Sequence, residues 1–216
     1  LGRLMAVLEL LVLVGLVTLL WRLSRRELLQ QTLFIVDGPL AMYGPPAKLR
    51  ARALEYFQWM VREGGTNAPH ICGLEKSGVI VDFARELARH NILKPGELMT
   101  LDKDVLGRVI NADNAIAYGK ETYWGRKFVY RARDGRVVVP TVMPSEGAPY
   151  DASGGLSDPS SYPTLAAVLD VIDRTGSSMY LDGVIPVAVA HGRAAFPIGV
   201  GTDVLKLVAA HKLGMR

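Results

Sequence analysis

A chain of 216 residues, half of them hydrophobic, can bury one sizeable core, and that length favours one domain with insertions over two. Its 25 Lys and Arg against 21 Asp and Glu leave a net charge of +4, which permits a polyanionic partner without requiring one. The one cysteine, Cys72, excludes an internal disulfide and a cysteine-based zinc site and suits a reducing cytoplasm.

Leu4 to Leu20 is almost wholly apolar, broken by Glu9, Gly15 and Thr18 and followed by Trp21-Arg22 and Arg25-Arg26. It is slightly short for a membrane span and carries a carboxylate near its start, and no small-residue cleavage site follows it as a signal peptide would need. The reading preferred here is a long helix, within an N-terminal segment 1–32, whose apolar face is buried against its own domain, a second copy of the chain or a partner. A membrane anchor is the rival.

The segment 33–216 opens on Leu33-Phe34-Ile35-Val36-Asp37-Gly38, four large apolar residues running into an aspartate. Such a run predicts a strand buried on both faces, and a carboxylate at its end stands at the rim of the core, a good position for a metal ligand. Asp-Gly is equally a common short turn. After Gly44-Pro45-Pro46 breaks the chain, Ala47 to Val61 has helical spacing, with Leu49, Ala53, Leu54, Phe57, Met60 and Val61 on one face.

His70 to Glu75 reads as a second buried strand ending in Glu75-Lys76, with Ser77 expected to cap the helix that carries Ile80, Phe83, Ala84 and Leu87. Lys76 beside a helix start could hold a phosphate, or form an ordinary surface pair with Glu75. Cys72 in that strand reads as a small core residue. Leu98 to Asp102 repeats the motif of an apolar run ending in an aspartate, and Asp102 is preferred over Asp104 because it falls where the strand ends.

Tyr118 to Lys127 interleaves aromatic and basic residues, a pattern that suits stacking on bases as well as an ordinary half-buried hairpin. Phe128 to Ala132 and Arg136 to Val142 alternate around Arg133-Asp134-Gly135 and predict that hairpin. Residues 145–163 read as a long loop, Thr164 to Thr175 as a helix, and His191 as a lone histidine among small and apolar residues. Three carboxylates at the ends of apolar runs suit Mg²⁺ or Mn²⁺, and an added imidazole favours Mn²⁺.

Asp37-Gly38-Pro39-Leu40 with Tyr43-Gly44, Gly73-Leu74-Glu75-Lys76-Ser77-Gly78, Tyr118-Gly119 through Tyr123-Trp124-Gly125-Arg126-Lys127, and Ile185-Pro186 with Ala190-His191 and Ala194-Ala195 together resemble the NurA nuclease family in its bacterial members. The likeness runs in order from about residue 33 to the C-terminus. It implies an α/β fold with an RNase H-like core, that is, a mixed central sheet flanked by helices, to which the chain adds its long N-terminal helix. It also implies a homodimer, a manganese (or magnesium) cofactor, and DNA degradation with a HerA-type hexameric ATPase in end processing or defence. Carried over by motif, Asp37, Glu75, Asp102 and His191 form the metal site, and Lys76, Tyr123 and Arg126 face DNA. The chain has no P-loop, so energy for moving DNA would come from the partner. No membrane is expected on this reading.

Overall fold

The computed structural model describes residues 2–42, 46–65, 68–100, 109, 124–146, 161–176, 183–190 and 192–193. Two helices, α1 (Gly2–Arg22) and α2 (Arg26–Gln30), precede strand β1 (Leu33–Asp37), and helix α3 (Ala47–Gly64) carries the chain over to β2 (His70–Glu75). Helix α4 (Val79–Arg89), strands β3 (Leu98–Thr100), β4 (Arg126–Arg131) and β5 (Val137–Val142), and helix α5 (Leu165–Arg174) follow. The strands form one five-stranded mixed sheet in the order β1-β2-β5-β4-β3.

β1 and β2 are parallel, with Leu33 level with His70 and Asp37 level with Leu74. A parallel pair needs a long crossover, and α3 supplies it. The remaining pairs are antiparallel. β4 and β5 form the expected hairpin, whose turn at Arg133-Asp134-Gly135 uses a positive φ of 92° at Gly135.

Side chains alternate across each strand, so the register assigns them to two faces. On one face Leu33, Ile35, Cys72, Leu74, Phe128, Tyr130, Val138 and Val142 pack with Leu165, Val168 and Ile172 of α5. On the other, Phe34, Val36 and Ile71 pack with α1 and with Phe57 and Met60 of α3, while Val129, Val137 and Val139 pack with Ile80, Val81 and Ala84 of α4. Helices thus cover both faces of the sheet, which explains why the inner residues of β2 and β4 and all of β5 are buried whichever way they point.

Helix α4 starts one residue later than a Ser77 cap requires. Its N-cap is Gly78 with φ 108°, and no side chain caps it. The extended, positive-φ backbone there suits glycine, and the turn is closed through the main chain, with the Asp82 N–H donating to Gly78 O at 3.0 Å.

Helix α1 buries one stripe, Leu10, Leu13 and Val17, in the same cluster as Phe57 and Met60, so the core is continuous across the boundary at Leu33. Thr18 Oγ1 lies 2.7 Å from Tyr56 Oη, and the Trp21 and Trp59 rings meet at 5.5 Å. The sheet and α3 therefore cover one stripe of the helix. Leu4, Leu8, Leu11, Val12, Leu16 and Leu19 on its other side are about half exposed, and only 17% of the Leu4–Arg22 window is buried.

Candidate functional site

The carboxyl ends of β1 and β2 lie side by side because the two strands are parallel and nearly level. Crevices outside the carboxyl ends of such strands are where open α/β sheets take ligands. Here that edge carries Asp37, Glu75 and Lys76. After Asp37 the chain does not turn back as a two-residue hairpin would. The Gly38 N–H donates to Leu74 O at 3.0 Å, and the next residues cross the end of β2 until Leu40 is buried above Gly73.

Asp37 and Lys76 form one ion pair, Nζ to Oδ1 2.9 Å, with the aspartate side chain 41% and the lysine side chain 30% exposed. Glu75 belongs to a second pair. Its Oε1 is 2.5 Å from Nζ of Lys127 on β4, and this lysine side chain is only 3% exposed. Strand alternation sets the two carboxylates on opposite faces of the sheet, Asp37 with Leu33 and Ile35, Glu75 with Ile71 and Gly73. Lys127, opposite Thr141, which is in turn opposite Gly73, shares the face of Glu75.

Of the sequence-derived site, then, the structure brings Asp37, Lys76 and Glu75 to one edge but not to one face. Arg126 opens β4 half-buried, level with Val142. Asp102, Tyr123 and His191 lie outside the described residues. Trp124, from the aromatic and basic stretch, is a core residue stacked on Phe57 with centroids 5.5 Å apart. Among the described residues no group of three or more His, Cys, Asp or Glu could hold a metal ion. Cys72 is 1% exposed, and burial pushes its thiol up to about 12, which removes it as a nucleophile.

Lys127 is the residue that sequence reasoning passed over. Locally the sequence shows only a basic residue ahead of Phe128 and Val129; a lysine on an inner face needs a buried carboxylate, and here that partner stands two strands away. A groove of about 430 Å³ also runs between α1 and β1. Its walls are apolar, Met5, Leu8, Val12, Leu16 and Phe34 among them, and Glu9 and Asp37 are its charged groups.

No family model, curated protein or solved structure matches the chain.

Proposed function

We propose that the chain is a DNA nuclease domain of the NurA-like kind, with an RNase H-like core, dependent on Mn²⁺ or Mg²⁺, acting as a homodimer with a HerA-type hexameric ATPase. The observation that carries this reading is the pair of adjacent parallel strands that end in Asp37 and Glu75-Lys76, under a sheet with helices on both faces. The net charge of +4 agrees with a polyanionic substrate.

Oxygen donors at a strand edge are the right chemistry for these ions. Asp37 and Glu75, however, do not fit one shared ion, because they project from opposite faces and each already faces an ammonium group. In this reading Asp37 is the described carboxylate of the reactive face, and the resemblance supplies Asp102 and His191 as its companions. Lys76 offers a partly exposed cation beside Asp37 for a phosphate oxygen, and Asp37 an acceptor for the proton of a water molecule. Hydrolysis then joins that water to phosphorus and releases the bridging oxygen.

The test is cleavage of labelled single-stranded and double-stranded DNA with Mn²⁺, Mg²⁺ or chelator, beside Asp37→Asn. Metal-dependent cutting lost in the variant supports the proposal. No cutting with any metal, or cutting unchanged in Asp37→Asn, removes it.

One observation favours a second reading, a membrane-anchored scaffold that binds a polyanion without cutting it. Leu4–Arg22 has a mean hydropathy of 2.5, is mostly unburied, and at 1.5 Å per residue reaches about 30 Å, the thickness of a bilayer core. Trp21 under Arg26, with 4.4 Å from guanidinium to ring, would mark the interface. Recovery from the soluble fraction without detergent excludes this reading, and recovery only from membranes supports it.

A further inference from the structure

We infer that Glu75 serves Lys127 and not a metal ion shared with Asp37: the pair is an internal strut from β2 to β4, and Lys127 is a positioning residue for the edge that carries Lys76. Three observations meet here. The ammonium group of Lys127 is 2.5 Å from Glu75 Oε1 with β5 lying between their strands, and only 3% of the lysine side chain is exposed. The pair lies between the two apolar clusters of its face, the one under α3 and the one under α4. Leu40 covers Gly73, and Thr141, the residue opposite Lys127, is fully buried, so the pair's surroundings on this face are closed.

A divalent ion drawn to Glu75 would sit beside that ammonium group and repel it. Moving the lysine away would leave a charge buried without a partner, which costs far more than an exposed ion pair returns. Asp37 and Lys76 face the opposite situation, since both reach solvent and can exchange one counter-charge for another. Lys76 follows Glu75 directly in the chain, so a strut that fixes Glu75 also fixes where Lys76 leaves the sheet. The role of Lys76 rests on the nuclease reading above. The strut itself does not.

The experiment is a double-mutant cycle on the full chain with three readouts: the urea unfolding midpoint, DNA binding, and Mn²⁺ binding followed by electron paramagnetic resonance. Glu75→Gln and Lys127→Met are each expected to lower the midpoint, and the double variant to recover about half of the summed loss or more, because removing both charges leaves neither unpaired. Lys127→Arg, which keeps the charge, is expected to bind DNA within about twofold of the wild type, whereas Lys127→Met is expected to weaken it about tenfold, or about 1.4 kcal/mol. If Lys127→Met alone does not fold, the double variant against Glu75→Gln decides the coupling. Mn²⁺ binding should survive Glu75→Gln and fall in Asp37→Asn. Equal loss of Mn²⁺ in both, with additive midpoints, overturns the inference. A wild type that binds no Mn²⁺ and cuts no DNA overturns the nuclease reading instead, and the coupling then decides the strut by itself.

Discussion

Tyr130 Oη donates a 2.8 Å hydrogen bond to Asp173 Oδ2, tying β4 to the last turn of α5. The same carboxylate accepts from the Arg133 backbone N–H at 3.1 Å and pairs with Arg133 Nε at 3.3 Å, and Arg136 donates to the Ile172 carbonyl at 2.9 Å, so the hairpin holds the C-terminal end of the helix. Burial, and then the neighbouring Asp173, push the Tyr130 hydroxyl up to about 12. Tyr130→Phe should cost about 1 kcal/mol, the net worth of an ordinary hydrogen bond, and leave the fold unchanged. The native state holds this proton more tightly than the unfolded chain, so its contribution is complete below about pH 10 and is lost as pH rises from there through 12. Urea midpoints measured between pH 8 and 11 should fall for the wild type and fall less for Tyr130→Phe. Parallel curves would mean that the hydrogen bond does not set that limb.

Gly73→Ala should be among the most damaging small substitutions in the chain. An added Cβ would lie 2.6 Å from Gly38 O and 2.7 Å from Leu40 N, both backbone atoms that no rotamer change can move. Displacing them shifts the segment that leaves Asp37, so we expect a loss of about 2 kcal/mol or more together with any activity that depends on Asp37. Gly15→Ala in α1 is the control, since its Cβ meets nothing within 4 Å and should stabilise the helix by about 0.5–1 kcal/mol. Chemical unfolding of the two variants side by side checks both signs.

Strand ends at Asp37 and Glu75, the crossover helix, the Arg133-Asp134-Gly135 hairpin and the helix after Thr164 were all legible in the sequence, because each follows from a local apolar period or turn residue. What the period cannot give is relative register. Whether Asp37 and Glu75 share a face depends on the register of β1 against β2, Asp37 against Leu74, which neither strand shows by itself. Lys127 was hidden for the same reason. Its carboxylate partner lies 52 residues earlier and two strands away, so the residue looked like one more cation in a basic and aromatic stretch. Trp124 shows the reverse case, an aromatic that suits nucleic acid by composition but is claimed by Phe57.

Cys72 should be silent toward thiol reagents in the native state. It is 1% exposed, its Sγ donates to Gly73 O at 3.1 Å, and with the thiol pushed up to about 12 almost no thiolate exists at neutral pH. Labelling with a chromogenic disulfide at pH 8 should therefore follow global unfolding, with less than one-tenth of the sites modified before the urea transition, by the usual link between protection and opening. Fast stoichiometric labelling of folded protein would show that β2 opens locally.

His70 gives the acid side of the stability curve. It stands at the start of β2, level with Leu33, and its Nδ1 is buried without a hydrogen-bond partner among the described residues. Burial, the larger influence, lowers its pKa below the usual histidine value, while a hydrogen bond to the Gln30 backbone acts the other way. The native state thus binds the imidazole proton less readily than the unfolded chain. Its contribution to stability is therefore complete above about pH 6.5 and is lost as pH falls below that value, where the unfolded chain takes up a proton that the fold resists. Replacing His70 by Gln keeps a polar group of similar reach and removes the titration. Urea midpoints between pH 7.5 and 5 should fall for the wild type and stay flatter for His70→Gln. If both fall together, the loss of stability on that side does not originate in the start of β2.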